Sequence, residues 1–200
     1  MNIIAQMLLL TLTAMTMENI VFTRALGTGK IFMSGKTPFG ALMFGGVHTA
    51  VITISCLITS FVSSILNKTS VRYFIEPLVY VIILIIFYII AYFLVSYHTL
   101  KKNESINKIA RTLALSCFNN AVLGSIMIVS RRSLNPAQAI FYGIGCGLGF
   151  VIATFFMEEQ KKRIKLSKIP KSFRGTAVTL IYLGLISLAL YGLIGHQLTA

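Results

Sequence analysis

Residues 77–97, PLVYVIILIIFYIIAYFLVSY, form an unbroken apolar run without a charge. About 20 such residues cross the hydrocarbon of a bilayer as an α-helix. Five weaker runs accompany it, at roughly 2–22, 39–66, 109–130, 136–157 and 176–196. The second of these is long for one crossing and is expected to bend or tilt. The pattern predicts an all-α integral membrane protein with six transmembrane helices in one membrane domain, 1–200. A few polar positions interrupt the runs. "CFNNAVLGS" (117–125) sets Asn119 and Asn120 side by side, about one turn after Cys117. Glu18 and Asn19 close the first run, His48 sits inside the second, and glycines recur at 143, 145, 147 and 149.

Composition supports the membrane class. The chain is 56 % hydrophobic and 12 % charged, against about 45–50 % and 25 % in soluble domains. Asp is absent, which excludes a Ser-His-Asp triad and Asp-based metal chemistry. Cys56, Cys117 and Cys146 all lie in apolar runs without C-x-x-C spacing, so the pattern gives no disulfide framework and no metal site. The first basic residue is Arg24. Without a positive n-region, the N-terminal run is taken as a membrane helix and not as a signal peptide.

Charge orients the spans. The loops after spans one, three and five hold fourteen Lys and Arg, while those after spans two and four hold Lys68, Arg72, Arg131 and Arg132. The positive-inside rule then places the odd loops in the cytoplasm and both termini outside. The net charge of +13 is accounted for by this topology signal and by attraction to anionic headgroups. No basic surface studded with aromatics exists to bind nucleic acid.

The two halves, about 1–100 and 101–200, echo each other. "ENIVF" (18–22) resembles "NNAVL" (119–123), "ALMFGGVHTAVI" (41–52) resembles "AIFYGIGCGLGFVI" (139–152), and "FIEPLVYVI" (74–82) loosely matches "FRGTAVTLI" (173–181). Three spans per half, an odd number, require the second half to enter the membrane from the opposite side. That is an inverted repeat, whose functional groups tend to gather near the midplane between halves. Glu18 and Asn19 are then expected to face Asn119 and Asn120 across a pseudo-two-fold axis.

An unpaired polar group in hydrocarbon costs several kcal/mol, and a polar interhelical bond returns roughly 0.6–2 kcal/mol. Both asparagines are therefore expected to face inward, as interhelical clamps or as the lining of an ion path that includes Glu18, Asn19 and Asn119. The glycines at 143–149, with Gly45 and Gly46, predict close helix approach, because no strand precedes them to make a nucleotide loop. His48 is expected to be a satisfied core histidine, with a proton or cation group as the second reading, and Glu76, before Pro77, to be interfacial. "NKT" at 67–69 fits a glycosylation pattern but carries little weight.

At "FNNAVLG" and at "IPKSFRGTAVTLIYLGLISLALYGLIG" (169–195) the chain resembles the Rnf/Nqr membrane-subunit family, most of all the A component of the Rnf electron-transport complex. Pro170, Phe173, Arg174, Gly175, Ala177 and Val178 match the family's P-x-x-F-R-G-x-A-I/V. "LG" at 26–27, "YG" at 142–143 and "GF" at 149–150 match as well. The resemblance implies a subunit of a redox-driven ion pump in a prokaryotic inner membrane. It implies a partner too, a homologous subunit of opposite orientation, within a larger complex. In such pairs each subunit gives two cysteines, from L-G-x-C-P and N-C-A-V-L-G, to a shared [2Fe–2S] centre.

Here both motifs change. Gly29 and Asn120 stand where those cysteines are expected, and Cys117 lies about 300° round a continuous helix from the second. The family's flavin-attachment motif S-G-A-T is absent, "SGKT" at 34–37 being different. The centre is either lost or held differently, and a divergent scaffold or ion-path subunit is one outcome. A second class, the substrate-binding membrane subunit of an energy-coupling vitamin transporter, shares the length and the basic charge.

Overall fold

The computed structural model describes residues 3–29, 38–66, 72–98, 104–166, 170 and 175–194. Among them stand eight helices: α1 (Ile3–Met15), α2 (Ile20–Arg24), α3 (Pro38–Leu66), α4 (Arg72–His98), α5 (Glu104–Cys117), α6 (Asn120–Arg131), α7 (Pro136–Leu166) and α8 (Thr176–Ile194). No strand occurs among the described residues. The segments 34–37 and 67–69, and Phe173 and Arg174 of the C-terminal motif, lie outside them.

Among the described residues three helices are long and apolar enough to cross a membrane: Leu42–Leu66, Phe74–Tyr97 and Pro136–Ile164. They become four if the bent pair Arg111–Cys117 and Asn120–Arg131 counts as one span. The first apolar helix, Ile3–Met15, ends well before the run predicted from sequence does.

The runs 2–22 and 109–130, expected as continuous helices, are each broken at an asparagine. The Asn19 side chain accepts hydrogen bonds from the backbone N–H of Val21 (3.0 Å) and Phe22 (3.4 Å), and that of Asn119 accepts from Ala121 N–H (3.2 Å). An N-cap of this kind supplies the acceptor that the preceding turn would otherwise provide, so a new helix can start in a new direction. The chain turns by 46° between α5 and α6.

The long helix α7 is the centre of the packing. It makes the largest helix pair with α3, and α1 covers it elsewhere. Of its most apolar stretch 56 % is buried, against 11 % for α4, which presents its apolar face outward. Its start is fixed by Pro136 and by Gln138, whose Oε1 accepts from Asn135 N–H at 3.1 Å, one half of a capping box.

The alternating glycines of α7 divide into two pairs spaced by four residues, one pair for each neighbour. A Cβ on Gly143 or Gly147 would lie 2.7 or 2.6 Å from the backbone Cα of Thr53 or Thr49 on α3. A Cβ on Gly145 would lie 2.5 Å from Thr11 O on α1, and one on Gly149 would lie 2.8 Å from Asn19 Nδ2. Gly45 of α3 meets Val151 in the same way, but Gly46, expected to share this role, is exposed and has nothing within 4 Å.

Gly147→Leu should destabilise the protein by ~3 kcal/mol or more, because the obstacle is backbone and cannot swing aside. Gly46→Leu should change stability by less than ~0.5 kcal/mol. Monodisperse yield and thermal midpoint in detergent would separate them, and equal behaviour would contradict the close approach. Asn119→Ala should cost about 1–2 kcal/mol through loss of the cap, read as a lower midpoint that Asn119→Ser partly restores.

Candidate functional site

A cavity of about 290 Å³ opens where the end of α2 meets the start of α6. It is lined by Ala25, Gly27, Thr28, Gly29, Phe118, Asn119 and Asn120. The chain reaches it by a tight left-handed turn. Ala25 caps α2 at φ +53°, its N–H bonding Ile20 O, and Gly27 follows at φ +81°. Only glycine fits at 27, because a Cβ would come within 2.9 Å of the Phe150 ring and 3.0 Å of Asn119 Oδ1. This turn brings Gly29 to the same cavity as Asn120.

The two asparagines diverge. Asn119 is 3 % exposed, whereas Asn120, the first residue of α6, is exposed. The expectation that both face inward is corrected by the break: a cap residue and its successor have different backbone angles and leave the chain on different sides. The break also changes the reckoning for Cys117, which assumed one continuous helix. Cys117 is buried and lines a separate cavity of about 180 Å³ with Val81, Leu84, Phe118, Asn119, Asn120 and Leu123. Gly29 lines the first cavity and Cys117 the second, with the asparagines shared between them.

Each capping asparagine turns its amide nitrogen toward a long helix far along the chain. Asn19 Nδ2 donates to Gly149 O (2.8 Å) and to Met15 O (3.0 Å), and Asn119 Nδ2 lies 3.3 Å from His48 Nε2. The Asn119 oxygen is already engaged as the cap, so its nitrogen is the donor and His48 Nε2 the acceptor. The ring proton is thereby assigned to Nδ1. His48 is fully buried, with its ring centroid 4.1 Å from that of Phe150 and 5.6 Å from that of Phe44. Asn19 thus bonds α7, and Asn119 the histidine of α3.

Glu18 lines neither cavity; it pairs with Arg132, at the far end of α6, at 2.8 Å, their side chains 38 % and 42 % exposed. That hydrogen bond holds the Arg132 guanidinium above its ordinary pKa. Glu76, expected at the interface, is buried within α4. The same helix is tied to α6 by Tyr80, whose OH bonds Ser130 Oγ at 2.6 Å. Sequence reasoning did not pair His48 with Asn119, nor did it find Ala25, Thr28 or Phe118. Only the "LG" at 26–27 pointed toward the turn.

These linings do not fit a share of a [2Fe–2S] centre. Iron in such clusters takes thiolate, or histidine in some centres, whereas Gly29 offers no donor and Asn120 a neutral carboxamide. No group of three or more His, Cys, Asp or Glu is gathered among the described residues. What the cavity does present is a carboxamide, a hydroxyl and backbone groups at a helix start.

Comparison with known proteins places this geometry. A family model described as "Rnf-Nqr subunit, membrane protein" matches residues 7–196. The chain is 29 % identical to the A component of the proton-translocating ferredoxin:NAD(+) oxidoreductase complex of Clostridium ljungdahlii, over 96 % of this chain and 97 % of that one. It is 26 % identical to the A component of the Na(+)-translocating ferredoxin:NAD(+) oxidoreductase complex of Acetobacterium woodii, over 96 % and 98 %. Over 46 % of its length it is 32 % identical to the E component of the Na(+)-translocating NADH-quinone reductase of Rhodopirellula baltica, covering 43 % of that protein. With nearly its whole length matched, the chain belongs to the Rnf-Nqr subunit family of membrane proteins.

Proposed function

We propose that this chain is a membrane subunit, corresponding to the A component, in an ion-translocating electron-transport complex that works between ferredoxin, NADH or quinone. The full-length similarity to two such components carries the reading. The transporter alternative has no comparable support. The relatives' names include both protons and sodium, so the proposal concerns the class of complex.

Its architecture is read as six crossings in two inverted halves, about 1–100 and 101–200, in a prokaryotic inner membrane with both termini outside. The matched breaks support this. Asn19 and Asn119, one hundred residues apart, each cap a short helix. The first bonds the long helix of the second half and the second that of the first half. A homologous subunit of opposite orientation is the proposed partner, within the larger complex. In this chain Asn19 and Asn119 act as interhelical clamps and Asn120 as polar lining of the cavity with Gly29, while the Glu18–Arg132 pair ties the start of α2 to the end of α6. Because Gly29 and Asn120 supply no thiolate and the cavity that Cys117 lines does not include Gly29, the chain is read as a scaffold or ion-path component without its own cluster ligands.

Assembly tests the first part. Mildly solubilised membranes from the source cells should yield the tagged chain together with a second protein of the same family and with flavin- and iron-containing subunits. Recovery of the chain alone would count against it. A reporter fused after Ala200 should be active only outside, and a cysteine placed at 166 should be labelled only from the cytoplasm, whereas the reverse would overturn the topology.

The ligand reading has its own test. Iron and acid-labile sulfide are measured in the purified complex. Gly29→Cys with Asn120→Cys should add a cluster at the shared cavity that wild type lacks, provided the partner contributes its own pair. A stoichiometric cluster there in wild type that also survives Cys117→Ser would refute the loss of ligation.

A further inference from the structure

The end of α7 and the face of α8 leave a groove that none of the foregoing uses. It encloses about 280 Å³ and is lined by Gln160, Arg163 and Ile164 of α7 and by Val178, Ile181, Tyr182 and Leu185 of α8. The α8 residues recur at intervals of three and four, so they form one apolar stripe along that helix. Gln160 is the unusual member. It is 3 % exposed, and neither its Nε2 nor its Oε1 has a hydrogen-bond partner. A buried carboxamide left so costs on the order of 1–3 kcal/mol, which points to a polar group that occupies the groove in the membrane.

The surroundings define that group. Lys161, Lys162 and Arg163 follow Gln160 directly along α7. The acidic neighbours are Glu158 and Glu159. Glu159 meets Arg163 Nε at 3.4 Å and Lys162 Nζ at 3.7 Å, and the Arg163 side chain remains 78 % exposed at the mouth. The stripe below it faces outward, with Ile181 57 % and Leu185 60 % exposed. A cationic rim, a carboxamide that can both donate and accept, and an open apolar stripe match one amphiphile: a negative headgroup on an acyl chain.

We propose that this groove binds one anionic glycerophospholipid of the surrounding bilayer. Arg163 and the Gln160 amide hold the headgroup, and an acyl chain lies along Val178, Ile181 and Leu185. The Gln160 Nε2 donates to a phosphate or ester oxygen, and its Oε1 accepts from a headgroup hydroxyl, so phosphatidylglycerol is the probe. The site is independent of the redox reading, and its test does not use complex activity.

The full-length protein, purified in a mild detergent, is titrated with phosphatidylglycerol or phosphatidylcholine and examined by native mass spectrometry. Wild type should retain one phosphatidylglycerol in preference to phosphatidylcholine. Gln160→Leu and Arg163→Ala should each weaken retention about tenfold, the size of one lost charge-assisted hydrogen bond. Ile181→Trp blocks the stripe from an exposed position and should abolish retention while the protein stays monodisperse, which keeps the test open if the Gln160 variant does not fold. Equal retention of both lipids by wild type, unchanged retention in Gln160→Leu and Ile181→Trp, or displacement of the lipid by inorganic phosphate alone would each overturn the proposal.

Discussion

A helix that begins inside an apolar bundle exposes backbone N–H groups that no solvent can satisfy, and the rest of this structure is arranged around meeting that demand. Asn19 and Asn119 meet it in the same way. Each side-chain oxygen takes the first free amides of a short helix, and each side-chain nitrogen is then turned toward a distant long helix. One residue thus starts a new helix after a break and fixes that start to α7 or α3. In hydrocarbon no water stands in for any of these bonds, so the geometry has little freedom once both ends of the carboxamide are used.

The glycines make that reach possible. Asn19 bonds the carbonyl of Gly149 from the space a Cβ at 149 would occupy. Gly145 admits the backbone of α1 one turn away, while Gly143 and Gly147 admit α3 on another face. In lipid, where helices gain little from hiding apolar surface from one another, close backbone packing of this kind is a main source of association. The cavity beside Asn120 is a by-product of the same constraint. The turn through Ala25 and Gly27 is pressed against Phe150 and Asn119, and this leaves Gly29 at the mouth of α6.

The scaffold can therefore be kept while the residues at 29 and 120 vary. The bonds that organise the bundle belong to Asn19, Asn119, His48 and the α7 glycines, and none of them involves the side chain of residue 29 or 120. A side chain at either place is free to differ without removing a cap or a close contact, since a Cβ at Gly29 meets nothing within 4 Å. That separation supports the proposal of a family member that retains the architecture with a different lining.

The sequence by itself determined the membrane class, the family motifs and the use of α7 glycines for close packing. Those follow from composition and from short-range spacing, which every residue carries locally. Only the tertiary structure decided that two apolar runs break, that Asn119 is buried while Asn120 is exposed, and that Cys117 and Gly29 line different cavities. Periodicity cannot show a break of this kind. An asparagine in an apolar run suits a clamp on a continuous helix as well as a cap between two short ones. The choice turns on bonds from residues far along the chain, the carbonyl of Gly149 and the ring of His48, which reward the cap only once the long helices are in place.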